Sequence, residues 1–294
     1  MRVKIIKAIA GSGALKVTQA VLGLVVAVML ARTLSPAGYG IYAFAFSLAT
    51  LLAIPAQMGL PTLLVREVAR YQAKGDWAQM KGILRRSNEA VLLTSVLLAF
   101  IAGASVWLFG ENLDSTNQRT LLWALVLVPF VALGDLRGAA LKGLRKVIQG
   151  QLPEMLLRPL LFLVFLLAAF FGYGEITPAA AMALHVVAAI LAFVVGAYLL
   201  IKALPAGLSA VQPSYATRDW MRSVIPLSLI AGMQVINAQA GILVLGIFDA
   251  PEEIGVYRVA TQGAYLLSFP VIAISAVIAP QMSRIHSTGD LAAL

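Results

Sequence analysis

The sequence predicts an all-α, multi-pass membrane protein made of two helical bundles, the first with six spans and the second broken off after two. Three observations predict it: an apolar composition, eight apolar runs long enough to cross a bilayer, and a turn-and-span pattern that occurs twice. Of 294 residues, 61% are hydrophobic and 12% charged, against roughly 45–50% and about 25% in soluble domains. No water-soluble core absorbs such a chain, and disorder is excluded on the same ground. The absence of cysteine excludes a disulfide scaffold.

The runs cover about 10–31, 41–63, 89–110, 119–141, 151–172, 178–201, 222–247 and 256–280. At a rise of ~1.5 Å per residue each crosses ~30 Å of hydrocarbon with some tilt. Backbone groups in lipid must satisfy one another, so the runs are helices; a barrel would alternate in polarity instead. The first run follows a basic start, but no polar mature domain follows a cleavage site, so it reads as an uncleaved helix and not as a signal peptide. Between the second and third runs, Trp77, Met80, Ile83 and Leu84 recur at helical spacing opposite Lys81, Arg85 and Arg86. The gap 66–88 is therefore expected to lie as an amphipathic helix in the headgroup layer. Six spans complete a bundle over 1–202. The stretch 203–220, with Pro205, Gly207, Ser209, Pro213 and Ser214, reads as a cytoplasmic linker. Residues 221–294 then hold the first two helices of a second bundle.

The net charge of +9 lies in the gaps. Arg2, Lys4 and Lys7 precede the first span; Arg66, Arg70, Lys74, Lys81, Arg85 and Arg86 fill the second gap; Arg137, Lys142, Arg145 and Lys146 the fourth; Lys202, Arg218 and Arg222 the sixth. This alternation places both chain ends in the cytoplasm by the positive-inside rule. Nucleic acid is not an expected partner, because the basic residues are not gathered on one face with aromatics between them.

The chain also resembles itself. Pro36, Gly40, Tyr42 and Pro55 recur at one constant offset as Pro251, Gly255, Tyr257 and Pro270. Six spans separate the copies, an even number, so both enter the membrane in the same sense and a twofold axis along the membrane normal would relate them. Internal repeats of this kind mark transporters. Pro55 and Pro270 each remove a helix hydrogen bond near mid-span, which makes them hinge candidates or static kinks.

The run Leu34-Ser35-Pro36-Ala37-Gly38-Tyr39-Gly40-Ile41-Tyr42, continued by Met58-Gly59-Leu60 and Arg66-Glu67, resembles the start of bacterial oligosaccharide (O-antigen-type) flippases. The second half matches through Leu243-Val244-Leu245-Gly246, Gly255-Val256-Tyr257 and Ala279-Pro280-Gln281. That family belongs to the multidrug/oligosaccharidyl-lipid/polysaccharide exporter superfamily, with a MATE-like pair of six-helix bundles around a central cavity. The resemblance implies alternating access in the bacterial inner membrane. It implies a cargo of undecaprenyl-diphosphate-linked oligosaccharide, carried from the cytoplasmic to the periplasmic leaflet for O-antigen, lipopolysaccharide or exopolysaccharide synthesis. Membrane lipids, a candidate coupling ion (H+ or Na+) and other polysaccharide-assembly membrane proteins are its implied partners. It also implies that four helices of the second bundle are missing from this chain. Relatives often carry an acid where this chain has Gln57, and another at Gly241. A cation-coupled multidrug antiporter of the same fold is the alternative.

A diphosphate drawn into a membrane needs cations and donors in a shielded space. The substrate-binding candidates are Lys16 and Gln19 on the first span, Arg158 on the fifth, Gln234, Asn237 and Gln239 on the seventh, and Arg258 and Gln262 on the eighth. Ionisable residues inside spans usually face a bundle interior or cavity. Each has a plainer reading: Arg158 pairing with Glu154, Arg258 snorkelling or neutralising Glu253, the amides bonding helix to helix. Asp135 and Arg137 read mainly as boundary residues, and His185 as a packed histidine. Catalytic residues, metal ligands and cofactors are not expected. The two histidines are far apart, and Gly11 and Gly13 follow no strand and precede no phosphate-binding lysine.

Overall fold

The computed structural model describes residues 2–109, 114–248 and 251–267, and the regular structure among them is entirely helical. In chain order the helices are α1 (Arg2–Thr33), α2 (Ser35–Gln57), α3 (Leu60–Lys74), α4 (Trp77–Phe109), α5 (Ser115–Gly143) and α6 (Val147–Leu152). A π-helical turn (Pro153–Leu157) joins α6 to α7 (Arg158–Tyr173), followed by α8 (Pro178–Ala203). A 3-10 turn (Ala206–Leu208) leads to α9 (Thr217–Phe248) and α10 (Pro251–Leu267). Among the described residues six stretches are long and apolar enough to cross a membrane: most of α1, then α2, α4, α5, the α6–α7 run and α8. A seventh is α9, whose halves Thr217–Gln234 and Ile236–Phe248 meet at 50°. The chain is a multi-pass membrane protein. The expected eighth span is seen as far as Leu267, and Pro270 lies outside the described residues.

Lipid gives no hydrophobic drive for helix association, so close packing of small residues has to supply it. Helix α2 buries Gly38, Gly40, Ala43, Ala45, Ser47, Ala49, Ala53 and Ala56. Helix α8 buries Ala181, Ala188, Ala189, Ala192 and Gly196, against α5, which buries Gly134, Gly138, Ala139 and Ala140. Large apolar side chains point outward in compensation: Phe100 is 73% exposed and Phe171 82%, as befits a lipid-facing surface.

Three expectations need correction. The second span does not run from 41 to 63. Helix α2 stops at Gln57, because Met58 and Gly59 both take left-handed backbone conformations (φ 47° and 67°) that end a helix. Pro55 accordingly sits in the last turn of α2 and not at mid-span. The segment 77–88 is not a separate surface helix either; it is the first third of the 33-residue α4. Its apolar stripe is covered by protein, with Met80 and Ile83 buried together with Leu63, Leu64, Val68 and Tyr71 of α3 and with Leu208, Trp220 and Val224. The amphipathic helix of this region is α3 instead. Its Glu67 is buried and held by Arg66 Nε at 3.1 Å and Arg70 Nη2 at 3.0 Å.

The linker between α8 and α9 is tied to this extension of α4. Ser214 N–H donates to the Ala78 carbonyl at 2.9 Å, and Lys81 Nζ to the Val211 carbonyl at 2.7 Å. Trp220 Nε1 then donates to the Tyr71 hydroxyl at 3.0 Å in a buried bond that fixes the start of α9 on α3.

At the opposite end of the helices, the two copies of the repeat meet each other. A Cβ built on Gly40 of α2 would overlap the Pro251 carbonyl oxygen of α10. Reciprocally, a Cβ on Gly255 would overlap the Pro36 carbonyl oxygen. Residues equivalent in the repeat thus exchange the same contact in both directions, which is the mark of a local twofold.

The contact sets an expectation for stability. Gly40→Ala and Gly255→Ala each force two backbones apart and cost about 1–3 kcal/mol, read as a lower thermal midpoint in detergent. Gly13→Ala and Gly263→Ala, where an added Cβ meets nothing within 4 Å among the described residues, stabilise by about 0.5–1 kcal/mol as helix-interior replacements.

Candidate functional site

Helices α1, α2, α7, α8, α9 and α10 and the π-helical turn surround a cavity of about 600 Å³, within the range that holds a small ligand. Lys16, Gln19, Arg158, Gln239, Arg258 and Gln262 all line it, so six of the sequence candidates, scattered over four helices, share one hollow. Gln234 and Asn237 do not line it; both are exposed near the bend of α9.

Arg158 Nη1 lies 2.9 Å from Glu154 Oε2, with the two side chains 19% and 16% exposed. The local backbone explains the pair's placement. Arg158 N–H bonds back five residues to the Pro153 carbonyl, and the widened turn, a geometry often found at functional sites, brings both side chains to the cavity wall. Both plain readings of Arg158 were open from sequence, and the structure joins them: it is paired and it lines the cavity. Arg258 is not within ion-pair distance of Glu253 among the described residues. Its guanidinium lies 5.9 Å from the centre of the Phe46 ring and beside the Tyr39 hydroxyl. Lys16 likewise has no carboxylate within ion-pair distance among the described residues. Gln262 packs against Gly23, where a Cβ would come within 2.6 Å of its amide nitrogen. Gln239 spends its amide between helices, accepting from Ser47 Oγ at 3.1 Å and donating to Thr50 Oγ1 at 3.2 Å. That is the helix-to-helix reading of this residue, at the margin of the cavity.

One wall is aromatic, and the sequence reading did not assemble it. Tyr39, Tyr42 and Phe46 of α2, Phe162 of α7 and His185 of α8 line the cavity together. His185 stacks on Phe162 with ring centres 4.4 Å apart and on Phe46 at 5.1 Å, and its Nδ1 lies 2.6 Å from the Tyr42 hydroxyl. It is a packed, hydrogen-bonded histidine, as expected, and it also faces the hollow. The spacing of Tyr39, Tyr42 and Phe46, three and then four residues apart on one helix, was the available signal. Nearer the basic end, Asp135 accepts from Gln57 Nε2 at 2.9 Å. Arg137 instead stacks its guanidinium 3.6 Å from the centre of the Phe193 ring, so its side chain is packed between helices.

Among the described residues no group of His, Cys, Asp and Glu is placed to hold a metal. The arrangement presents three cations, one carboxylate, side-chain amides and ring faces to a shielded space. His185→Phe is expected to keep the ring stack and leave the Tyr42 hydroxyl without its partner, at a cost of about 1–3 kcal/mol. Thermal unfolding of the purified protein measures it.

Comparison with known proteins fits this geometry. A 25% identical match over 166 residues pairs 51% of this chain with 29% of the lipid II flippase MurJ of Bacillus subtilis (strain 168). Among solved structures, the MATE multidrug transporter DinF-BH superposes with a TM-score of 0.63 at 15% identity, covering 95% of this chain and 63% of that one. An inward-facing multidrug resistance MATE family transporter of the MOP superfamily gives a TM-score of 0.61 at 15% identity, over 96% and 63%. At such identity these two establish a MATE-like fold and nothing of cargo. The chain spans less than two thirds of each of these relatives. Residues 6–286 match the model of the family described as polysaccharide biosynthesis protein, and the chain belongs to that family.

Proposed function

We propose that this chain belongs to a flippase that moves an undecaprenyl-diphosphate-linked oligosaccharide from the cytoplasmic to the periplasmic leaflet for cell-surface polysaccharide synthesis. The observation that carries the reading is the cavity in which Lys16, Arg158 and Arg258 face a single lining carboxylate among the described residues, Glu154. A diphosphate is stable there because it meets cations and donors in a shielded space, where charge-assisted hydrogen bonds are strongest. The partly exposed Phe46 ring, backed by the buried Tyr42, offers a stacking surface for a sugar ring, and the lipid tail stays in hydrocarbon throughout. The MurJ match supports a lipid-linked cargo, since that relative is a flippase of lipid II.

Alternating access supplies the mechanism. The reciprocal contact of Gly40 with Pro251 and of Gly255 with Pro36 is the seal at one end; separating α2 from α10 there opens the cavity to that side. Residues 1–202 and 221–294 are the two bodies that rock, with 203–220 as the tether. The break at Met58–Gly59, next to Pro55, is the point at which α2 bends relative to α3. By the positive-inside rule the end that carries Arg66, Arg70, Lys74, Arg85 and Arg86 is cytoplasmic, as is the N-terminus, and the membrane is the bacterial inner membrane. The protein is a transporter and not an enzyme. An ion gradient or the membrane potential drives it, at about 2.3 kcal/mol per charge for each 100 mV.

A cavity suited to cationic drugs would be lined by acids. The balance here is the reverse, which sets the multidrug reading second.

Arg158→Ala is expected to slow delivery of labelled undecaprenyl-diphosphate glycan to the outer leaflet by about tenfold or more, the scale on which a buried charge pair reports, and Lys16→Ala to slow it by less, because Lys16 is exposed and unpaired among the described residues, with expression unchanged in both. Undiminished delivery by both variants, or transport of cationic dyes in place of the glycan, would overturn the reading.

A further inference from the structure

Glu154 is bonded to one arginine and shares a small hollow with another. On the cavity side it pairs with Arg158 at 2.9 Å. On the other side it lines a second, far smaller hollow of about 10 Å³ within the helix packing, together with Arg137, Phe193 and a set of glycines. That space is too small for more than one water. Arg137 faces it with one half of its guanidinium unsatisfied: the ring of Phe193 covers its face at 3.6 Å, but Nη1 is buried without a hydrogen-bond partner among the described residues. An unpaired charged donor at this depth is costly, and a carboxylate is the group that would satisfy it. Glu154 packs against Gly134 in the smaller hollow, where a Cβ would overlap its Oε1. Any larger residue there would shut Glu154 out of its present position.

We infer that Glu154 is an exchangeable counter-charge, bound to Arg158 when the cavity is empty and handed to Arg137 when a diphosphate takes Arg158. The inference rests on the proposed cargo and adds to it a positioning role for Arg137, which lines only the smaller hollow. The electrostatics favour such an exchange, and the Asp135 carboxylate, near enough to act on both Glu154 and Arg158, adds to the negative charge that a diphosphate would meet. A diphosphate that engages Arg158 arrives beside a carboxylate already paired to the same guanidinium, and two anions within about 4 Å repel strongly in a shielded site. Retaining Glu154 in place would cancel much of the attraction. Moving it to Arg137 removes the repulsion and satisfies the orphaned Nη1 in one step. The π-helical turn that carries Glu154 joins α6 to α7 and packs on α5, α7 and α8, so the exchange also alters the packing around it.

Binding of undecaprenyl diphosphate, without sugar, to the whole protein in nanodiscs tests the exchange through a double-mutant cycle. Arg137→Met is expected to weaken binding about tenfold, and to have less than a twofold effect once Glu154→Gln is present, because a neutral amide no longer needs a second site; non-additivity of this size is typical of coupled groups. Arg137→Lys restores most of the affinity. Arg137→Gln serves beside the methionine variant if the latter does not fold. In the unsubstituted protein, addition of the lipid shifts a carboxylate stretch in the infrared difference spectrum, and Glu154→Gln abolishes that shift. Equal losses from Arg137→Met in both backgrounds show a merely structural arginine and overturn the exchange, as does a spectrum without the shift; in both cases the lipid still binds, and the proposed cargo stands. Absence of undecaprenyl diphosphate binding by the unsubstituted protein overturns the cargo and the exchange together.

Discussion

A guanidinium or ammonium inside a hydrocarbon layer has to be given water, an opposite charge or a π face, and everything distinctive about this molecule follows from meeting that requirement three times around one cavity. Arg158 is answered by Glu154 at 2.9 Å, Arg258 by the Phe46 ring and the Tyr39 hydroxyl. Lys16 lines the same hollow and is itself exposed. The helices cannot close on one another and fill this space without stranding those charges. The void is therefore a consequence of the polar residues as much as of the packing.

What holds the helices around the void is backbone proximity. The buried faces of α2, α5 and α8 are built largely of alanine and glycine, whose value in lipid is that main chains approach until dispersion and weak polar contacts add up. The extreme case is the pair of reciprocal contacts between Gly40 and Pro251 and between Gly255 and Pro36. These four residues are among those that recur in the sequence at a constant offset. The repeat is thus visible twice, once as a pattern of residue types and once as a contact that maps onto itself, and the second view gives the first its physical reason. Glycine stands at both positions because its partner there is a backbone carbonyl.

The spans were legible because membrane thickness translates directly into run length, and the family was legible through turn residues such as Pro36, Gly38 and Gly40. Six of the eight binding candidates meet in one cavity for a similar reason, since a charge or amide inside a span has few other places to go. The exceptions are equally physical. Gln234 and Asn237 fall beside the bend of α9, where a broken helix gives amides other surroundings, and a straight-helix reading of 222–247 could not show that. The stripe Trp77–Leu84 has the pattern of a membrane-surface helix, yet a hydrophobic stripe does not reveal what covers it. Here it is α3 and the linker, brought there by the left-handed pair Met58–Gly59. The aromatic wall escaped notice because Tyr39, Tyr42 and Phe46 are ordinary residues in an apolar run until Phe162 and His185 arrive from two other helices.

Glu154, the single lining carboxylate among the described residues, sits on a π-helical turn, and that placement bears on how firmly it is held. A regular α-helix fixes residues four apart on one face, so an i,i+4 pair such as Glu154 and Arg158 would be locked together by its own backbone. A π turn adds a residue to the ring of one hydrogen bond, Arg158 N–H to the Pro153 carbonyl, and Pro153 and Pro159 have no amide hydrogen to donate. The ladder is thus weakest where the two charges sit. The exchange proposed for Glu154 would need local freedom of this kind, and would need it without the helix melting in lipid. One widened turn flanked by prolines, with intact helix on either side, satisfies both conditions at a smaller cost than a broken span.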